Sequence, residues 1–222
     1  MSDIFLFNSP PRSGNVFLTF LFTMFINGQA NKCLEIEKYS DTSQKQAAFF
    51  RNPYESIPST VVKARIDWDT GFDDLSELKN NIKKCGEEYL TAIKEAKANS
   101  HNIYLGKSED MMQDPVGTIK DIALFFGLEI TNNHPITKKQ ISDEIQSRMT
   151  KAEKTRVDRH GQTIVENLMS SHDGHMPREK IQERVYLDNL IQELDFDIIR
   201  QCYNEYISIE STNAKEGQRW AS

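Results

Sequence analysis

The run Asn8-Ser9-Pro10-Pro11-Arg12-Ser13-Gly14-Asn15-Val16-Phe17-Leu18 holds the residue types needed to grip a phosphate. It follows the apolar stretch Ile4-Phe5-Leu6-Phe7 and leads into another, Phe17-Leu18-Thr19-Phe20-Leu21-Phe22. In a strand, short Ser/Gly turn and helix, the turn N–H groups and the helix N-terminus direct partial positive charge at one anion. Arg12 adds a full charge and a planar fork of donors. The nucleoside-triphosphatase loop G-x-x-x-x-G-K-[ST] is absent: the first Gly, the Gly-Lys pair and the magnesium-binding hydroxyl are all missing. A kinase built on that loop is disfavoured accordingly.

Two further segments carry chemistry or confirm its frame. Phe49-Phe50-Arg51-Asn52-Pro53-Tyr54-Glu55-Ser56-Ile57-Pro58-Ser59 reads as the end of a strand running into a turn and helix, with a cation and a hydroxyl eight positions apart. A charged fork plus an orienting hydroxyl suits an anion. Farther on, Ile103-Tyr104-Leu105-Gly106-Lys107-Ser108-Glu109-Asp110-Met111-Met112-Gln113-Asp114-Pro115 continues through Ile119, Ile122, Phe125, Phe126, Gly127 and Leu128. Asp114 is an N-cap, Pro115 suits the first helical position, and Gly127 a C-cap. Val116, Ile119, Ala123 and Phe126 form the apolar stripe between them.

Together the three segments resemble the sulfotransferases. The first is similar to the family's 5′-phosphosulfate loop, P-[KR]-[SG]-G-[TN]-T-[WF]-L, matched by Pro11, Arg12, Ser13, Gly14, Asn15, Phe17 and Leu18, with Val16 in place of Thr. The second is similar to R-[DN]-P-x-[DE]-x-x-x-S, whose Arg and Ser bind the donor's 3′-phosphate, a role that falls to Arg51 and Ser59. The third is similar to Y-E-D-[LM]-x-x-D-P, with Ser108 where relatives have a Tyr near the adenine. Gly174-His175-Met176-Pro177-Arg178-Glu179-Lys180 resembles a basic G-H-x-P-R loop of some microbial and phage members. Many relatives bring a basic pair to the 3′-phosphate from this part of the chain, and Arg178 and Lys180 are the residues available.

The resemblance implies sulfuryl transfer from 3′-phosphoadenosine 5′-phosphosulfate to a hydroxyl or amine, with no metal. Pro11, Arg12, Ser13, Gly14, Asn15 and Val16 hold the 5′-phosphate end, and Phe17 stacks on adenine. Arg12 also stabilises the departing phosphate. A base must accept the acceptor's proton. Small-molecule relatives use a His between the two phosphate motifs, and Leu18 to Phe50 contains none. Carbohydrate-acting relatives use Glu, which makes Glu37 the first choice, with Glu35, Asp41 and, from the C-terminal region, His175 as alternatives. Val16, Ser108 and the missing His also define a second reading, a nucleotide-binding protein of the same fold without transferase activity.

Alternating strand and helix signals imply an α/β protein, a three-layer parallel sheet with helices on both faces, and the resemblance implies that this is the P-loop-like sulfotransferase fold. Strands are expected at Ile4–Phe7, Cys33–Glu37, Ala47–Phe50 and Asn102–Leu105. Helices are expected over Gly14–Ile26, from Tyr54 onward, and over Asp73–Ala98, where Leu75, Leu78, Ile82, Cys85, Tyr89 and Ile93 recur at helical spacing. Residues 1–210 form one domain, with a helical C-terminal region at 131–210 that could act as a lid and a flexible tail at 211–222. Within that region Ile141, Ile145 and Met149 form one stripe and Val185, Leu187, Leu190, Ile191 and Leu194 another, while Thr155–Gln162 and Ser170–Pro177 read as loops.

Composition sets the partners. A chain of 222 residues with 38% hydrophobic and 27% charged residues can bury a substantial core. A net charge of −6 opposes a broad nucleic-acid surface and favours a small-molecule or carbohydrate acceptor without dense negative charge. Cys33, Cys85 and Cys202 are scattered, as in a reducing cytoplasm. His172 and His175 sit in a Gly/Pro loop, so no metal site is expected. The apolar run Val16–Ile26 is too short to span a bilayer. A cytoplasmic protein without a membrane anchor is expected, and the oligomeric state stays open.

Overall fold

Short apolar runs bounded by polar turns become strands when both of their faces are covered. The computed structural model describes residues 4–7, 22, 32–35, 45–68, 74–128, 137, 139, 153–157, 163–167, 178–194 and 196–209. Four of the runs pair as β1 (Ile4–Phe7), β2 (Lys32–Glu35), β3 (Gln46–Phe50) and β4 (Ile103–Lys107), all parallel, in the order β2-β1-β3-β4. The expected strands are present, shifted by up to two residues at their ends. The largest shifts are at the ends of β2, which stops at Glu35 rather than Glu37, and of β4, which runs to Lys107 rather than Leu105. Every residue of β3 is buried, as are the first four of β4, Ile103 to Gly106.

Strand alternation divides β3 and β4 into two faces. Ala48 and Phe50, in register with Leu105 and Lys107, belong with Ile103 and Leu105 to the main core. That core is completed by α1 (Pro53–Trp68), α2 (Leu75–Ala98), α5 (Arg178–Leu194) and α6 (Asp197–Ile207). Phe49 and Tyr104 lie on the other face, where rings step from Phe49 to Tyr104, Phe125, Phe126 and Phe22 at centroid spacings of 5.8, 5.8, 5.6 and 5.7 Å. Phe125 and Phe126 end α4 (Pro115–Phe126), which follows the short α3 (Ser108–Gln113). Each ring pair adds ~0.5–1.5 kcal/mol beyond its buried area.

Helix boundaries follow local chemistry. Asp74 caps α2 by accepting from Ser76 N at 2.7 Å and Glu77 N at 3.3 Å. Leu78, Ile82, Gly86, Tyr89, Ile93 and Ala96 are its buried stripe. Leu75, counted in the expected stripe, is exposed. Asp114 caps α4 through Gly117 N at 3.1 Å, and Gly127 closes it in the left-handed region at φ +80°. Both of these caps match the expectation.

The C-terminal third differs from the expected helices joined by loops. Glu153–Val157 (β5) and Thr163–Asn167 (β6) pair antiparallel, with Thr155 opposite Val165 and Val157 opposite Thr163. Thr155–Val157 is therefore strand and not loop. The reason lies in Thr155, Val157, Thr163, Ile164 and Val165, β-branched residues that fit a pleated ribbon but are diluted by Lys, Arg and Glu. Beyond the hairpin, Leu187, Leu190, Ile191, Ile199, Cys202 and Tyr206 of α5 and α6 enter the main core. Val185, expected in the stripe, is exposed. The first helix beyond Phe22, the Ile141–Met149 stripe, the Ser170–Pro177 loop and the tail lie outside the described residues.

Candidate active site

All four parallel strands run the same way, so the chain leaves β1, β2 and β3 at one edge of the sheet. Phe7 ends β1 opposite Glu35 of β2 and Ala47 of β3. Ligands of open parallel sheets bind at this carboxyl edge. Arg51 is the first residue beyond β3, and Asn52 turns the chain into α1. The Asn52 carbonyl accepts from Glu55 N and Ser56 N at 2.9 Å each, and its side-chain oxygen accepts from Tyr54 N at 3.0 Å. Pro53 begins α1 where no helical donor is required. Asn, Pro and an acidic first turn make this a well-formed helix start, aimed out of the sheet edge.

The Arg51 guanidinium is a quarter exposed and closes on one oxygen of Glu55, with Nε at 2.8 Å and a terminal nitrogen at 2.6 Å. Ser59 is half-buried in the second turn of α1. Between them Ser56 is 1% exposed, and its hydroxyl has no hydrogen-bond partner among the described residues.

The backbone of this turn is held from outside. Tyr89 of α2 donates its hydroxyl to the Arg51 carbonyl at 2.8 Å. The Asn52 amide donates to Glu109 Oε1 at 3.0 Å, and the other Glu109 oxygen accepts the Tyr206 hydroxyl at 2.6 Å. Burial and the hydrogen bond to Glu109 push the Tyr206 hydroxyl well above the usual phenol range, so it stays protonated and donating. Lys107, opposite Phe50 at the end of β4, lays its ammonium 5.2 Å from the Tyr206 ring centre. Tyr89, Glu109 and Tyr206 carried no sequence signal as supports of this turn, because the contacts that link them to Arg51, Asn52 and one another span 38 to 97 positions of chain.

Other candidates fall differently. Glu35 is the last residue of β2, at the same sheet edge, and Arg178 and Lys180 begin α5. Pro11, Arg12, Ser13, Gly14, Asn15, Val16, Phe17, Glu37, Asp41 and His175 lie outside the described residues. Among the described residues no three His, Cys, Asp or Glu side chains group closely enough to hold a metal ion. Nor is any described helix long and apolar enough to cross a membrane.

These features define a parallel α/β protein with a cation-bearing strand-to-helix turn at the carboxyl edge of its sheet. A family profile described as "Sulfotransferase domain" matches residues 49–206, and the chain belongs to that family. The match begins after the Pro11–Phe17 segment and takes in Arg51, Ser59, Arg178 and Lys180. No curated protein sequence matches significantly. Among solved structures, mouse sulfotransferase SULT7A1 complexed with PAP is similar at a TM-score of 0.51 and 13% identity, covering 92% of this chain and 88% of that one. At that identity the likeness establishes a shared fold. The sulfotransferase domain of the Synechococcus PCC 7002 olefin synthase is 11% identical at a TM-score of 0.42, covering 88% of this chain and 96% of the other.

Proposed function

We propose that this protein transfers a sulfuryl group from 3′-phosphoadenosine 5′-phosphosulfate to the hydroxyl or amine of a small-molecule or carbohydrate acceptor. The observation that carries the reading is the Arg51–Ser59 turn, which opens at the sheet edge where the chain also leaves β1 toward Pro11–Phe17. A partly exposed guanidinium at a capped helix start suits a 3′-phosphate. The PAP held by the mouse structure is the nucleotide this donor leaves behind. On this reading the sheet is the middle of three layers, with the helical core on one face and the Phe49–Tyr104–Phe125 rings on the other.

In the reaction the acceptor oxygen or nitrogen bonds to sulfur as the bridging S–O bond breaks. The acceptor's proton goes to the base and the bisphosphate nucleotide departs. Arg12 faces the departing phosphate, with Ser13, Gly14, Asn15, Val16 and Pro11 around it and Phe17 against adenine. Arg51 and Ser59 hold the 3′-phosphate, joined by Arg178 and Lys180. Glu37 is the base, ahead of Glu35, Asp41 and His175, all but the last close in sequence to the end of β2. Ser108, only 6% exposed, offers no ring to the adenine and favours weaker base stacking; with Val16 and the missing His it stands behind the second reading, a binding protein without turnover.

Calorimetry of 3′,5′-adenosine bisphosphate against adenosine 5′-monophosphate tests the donor. A preference for the bisphosphate of about 10- to 100-fold is expected, the worth of one charged hydrogen bond. Equal affinities overturn the 3′-phosphate assignment. A ³⁵S-donor screen over sugars, phenols, alcohols and amines, run with excess EDTA, separates a metal-independent transferase from a silent binding protein.

A further inference from the structure

Resting on the reading of Arg51 as the 3′-phosphate ligand, we propose that Glu109 is the positioning residue of that subsite. Its carboxylate uses both oxygens and joins three elements. Oε1 takes the Asn52 amide at 3.0 Å, and Oε2 takes the Tyr206 hydroxyl at 2.6 Å, while Glu109 itself stands in the first turn of α3. The β3–α1 turn is thereby tied to β4 through α3 and to the C-terminal helix α6.

The direction of the Arg51 side chain is set by the Arg51–Asn52 peptide that follows it, and both polar groups of that one peptide are held. On the carbonyl side stands Tyr89; on the amide side of the next residue stands Glu109. The Asn52 N–H precedes α1, so no helical carbonyl is placed to accept it, and a charged acceptor fixes it more firmly than water can. Tyr206 in turn orients the carboxylate, which would otherwise rotate about its own side chain. Without Glu109 the turn keeps its helix cap but loses the bond that sets its angle to the sheet. Glu55 can then hold Arg51 in orientations that point away from the phosphate. Glu109 therefore acts through Arg51 and touches no ligand.

The test measures both nucleotides by calorimetry on the full chain, alongside thermal melts. Glu109→Ala is expected to reduce the wild-type preference for the bisphosphate by about fivefold or more while moving monophosphate affinity by less than about twofold, since only the 3′-phosphate contact is disturbed. Glu109→Gln, which keeps an acceptor for Asn52 N and a polar partner for Tyr206, should restore most of the preference. Ile119→Val, a core change on the other side of the sheet, should lower the melting temperature without altering the ratio. If Glu109→Ala does not fold, Tyr206→Phe decides: a reduced preference supports the inference and an unchanged one overturns it. A wild-type preference that survives Glu109→Ala overturns this inference alone. Equal wild-type affinities for the two nucleotides overturn the Arg51 reading and this inference together.

Discussion

Arg51 and Glu55, one helical turn apart, form an ion pair in which two guanidinium nitrogens converge on a single carboxylate oxygen. A phosphate arriving at Arg51 must share the cation with that carboxylate. Glu55→Gln keeps an acceptor but removes the competing charge. Bisphosphate affinity is expected to rise by up to about fivefold, because a partly exposed charge interaction is worth ~0.2–1 kcal/mol. Titration at low and at high salt checks this; a tenfold loss of binding would show instead that Arg51 depends on the charge of Glu55.

Ser56 presents the opposite situation, a buried hydroxyl without a hydrogen-bond partner among the described residues. Leaving such a group unsatisfied costs ~1–3 kcal/mol. Ser56→Ala should stabilise the protein by ~1 kcal/mol, a rise of about 2–4 °C in melting temperature for a domain of this size. A drop in melting temperature would mean that the hydroxyl is bonded in solution.

Two glycines should differ sharply in their tolerance of alanine. A Cβ at Gly106 would come within 2.6 Å of the Phe49 ring, itself packed against Tyr104, whereas one at Gly127 meets nothing within 4 Å. Gly106→Ala must displace a ring in the core, costing ~1–3 kcal/mol. Gly127→Ala carries only the strain of its positive φ, ~1 kcal/mol. Urea denaturation of both variants orders them, and an equal or reversed order contradicts the packing of Phe49.

The thiols give an alkaline signature. Burial raises Cys85 from 9.0 to about 11 and Cys202 from 9.0 to about 12. Each folded thiol keeps its proton where the unfolded chain has lost it. The unfolded state therefore binds fewer protons above pH 9, and stability falls as pH rises through the window up to 11–12. Denaturation midpoints at pH 8 and pH 10.5 should lie closer together in Cys202→Ala than in the wild type. Native Cys202 should also resist alkylation at pH 8.

Much of the frame was legible in the sequence, because period and punctuation are local. Asp114 and Gly127 cap the helix whose ends they mark, and all four strands of the parallel sheet stand where apolar runs meet polar turns. The β5–β6 hairpin escaped because its strands carry Lys154, Arg156 and Glu166 among the β-branched residues. Of the candidate site, Arg51 and Ser59 were singled out by the resemblance, but the groups that hold the backbone of their turn were not. Tyr89, Glu109 and Tyr206 reach the turn from distant positions, and only the fold decides which tyrosine or carboxylate arrives.

The strand order has a consequence for how the molecule comes together. With every neighbouring pair parallel, no two hydrogen-bonded strands of the main sheet can be joined by a tight turn, and β3 must wait for all of α1 and α2 before β4 can reach it. Closure of such long segments precedes the contacts that reward it, so a slow assembly step is inherent in the topology. The β5–β6 ribbon and the longer helices can form early and locally. The edge that carries Arg51 cannot, and nucleotide binding should be the last property to return when the unfolded chain is diluted from denaturant.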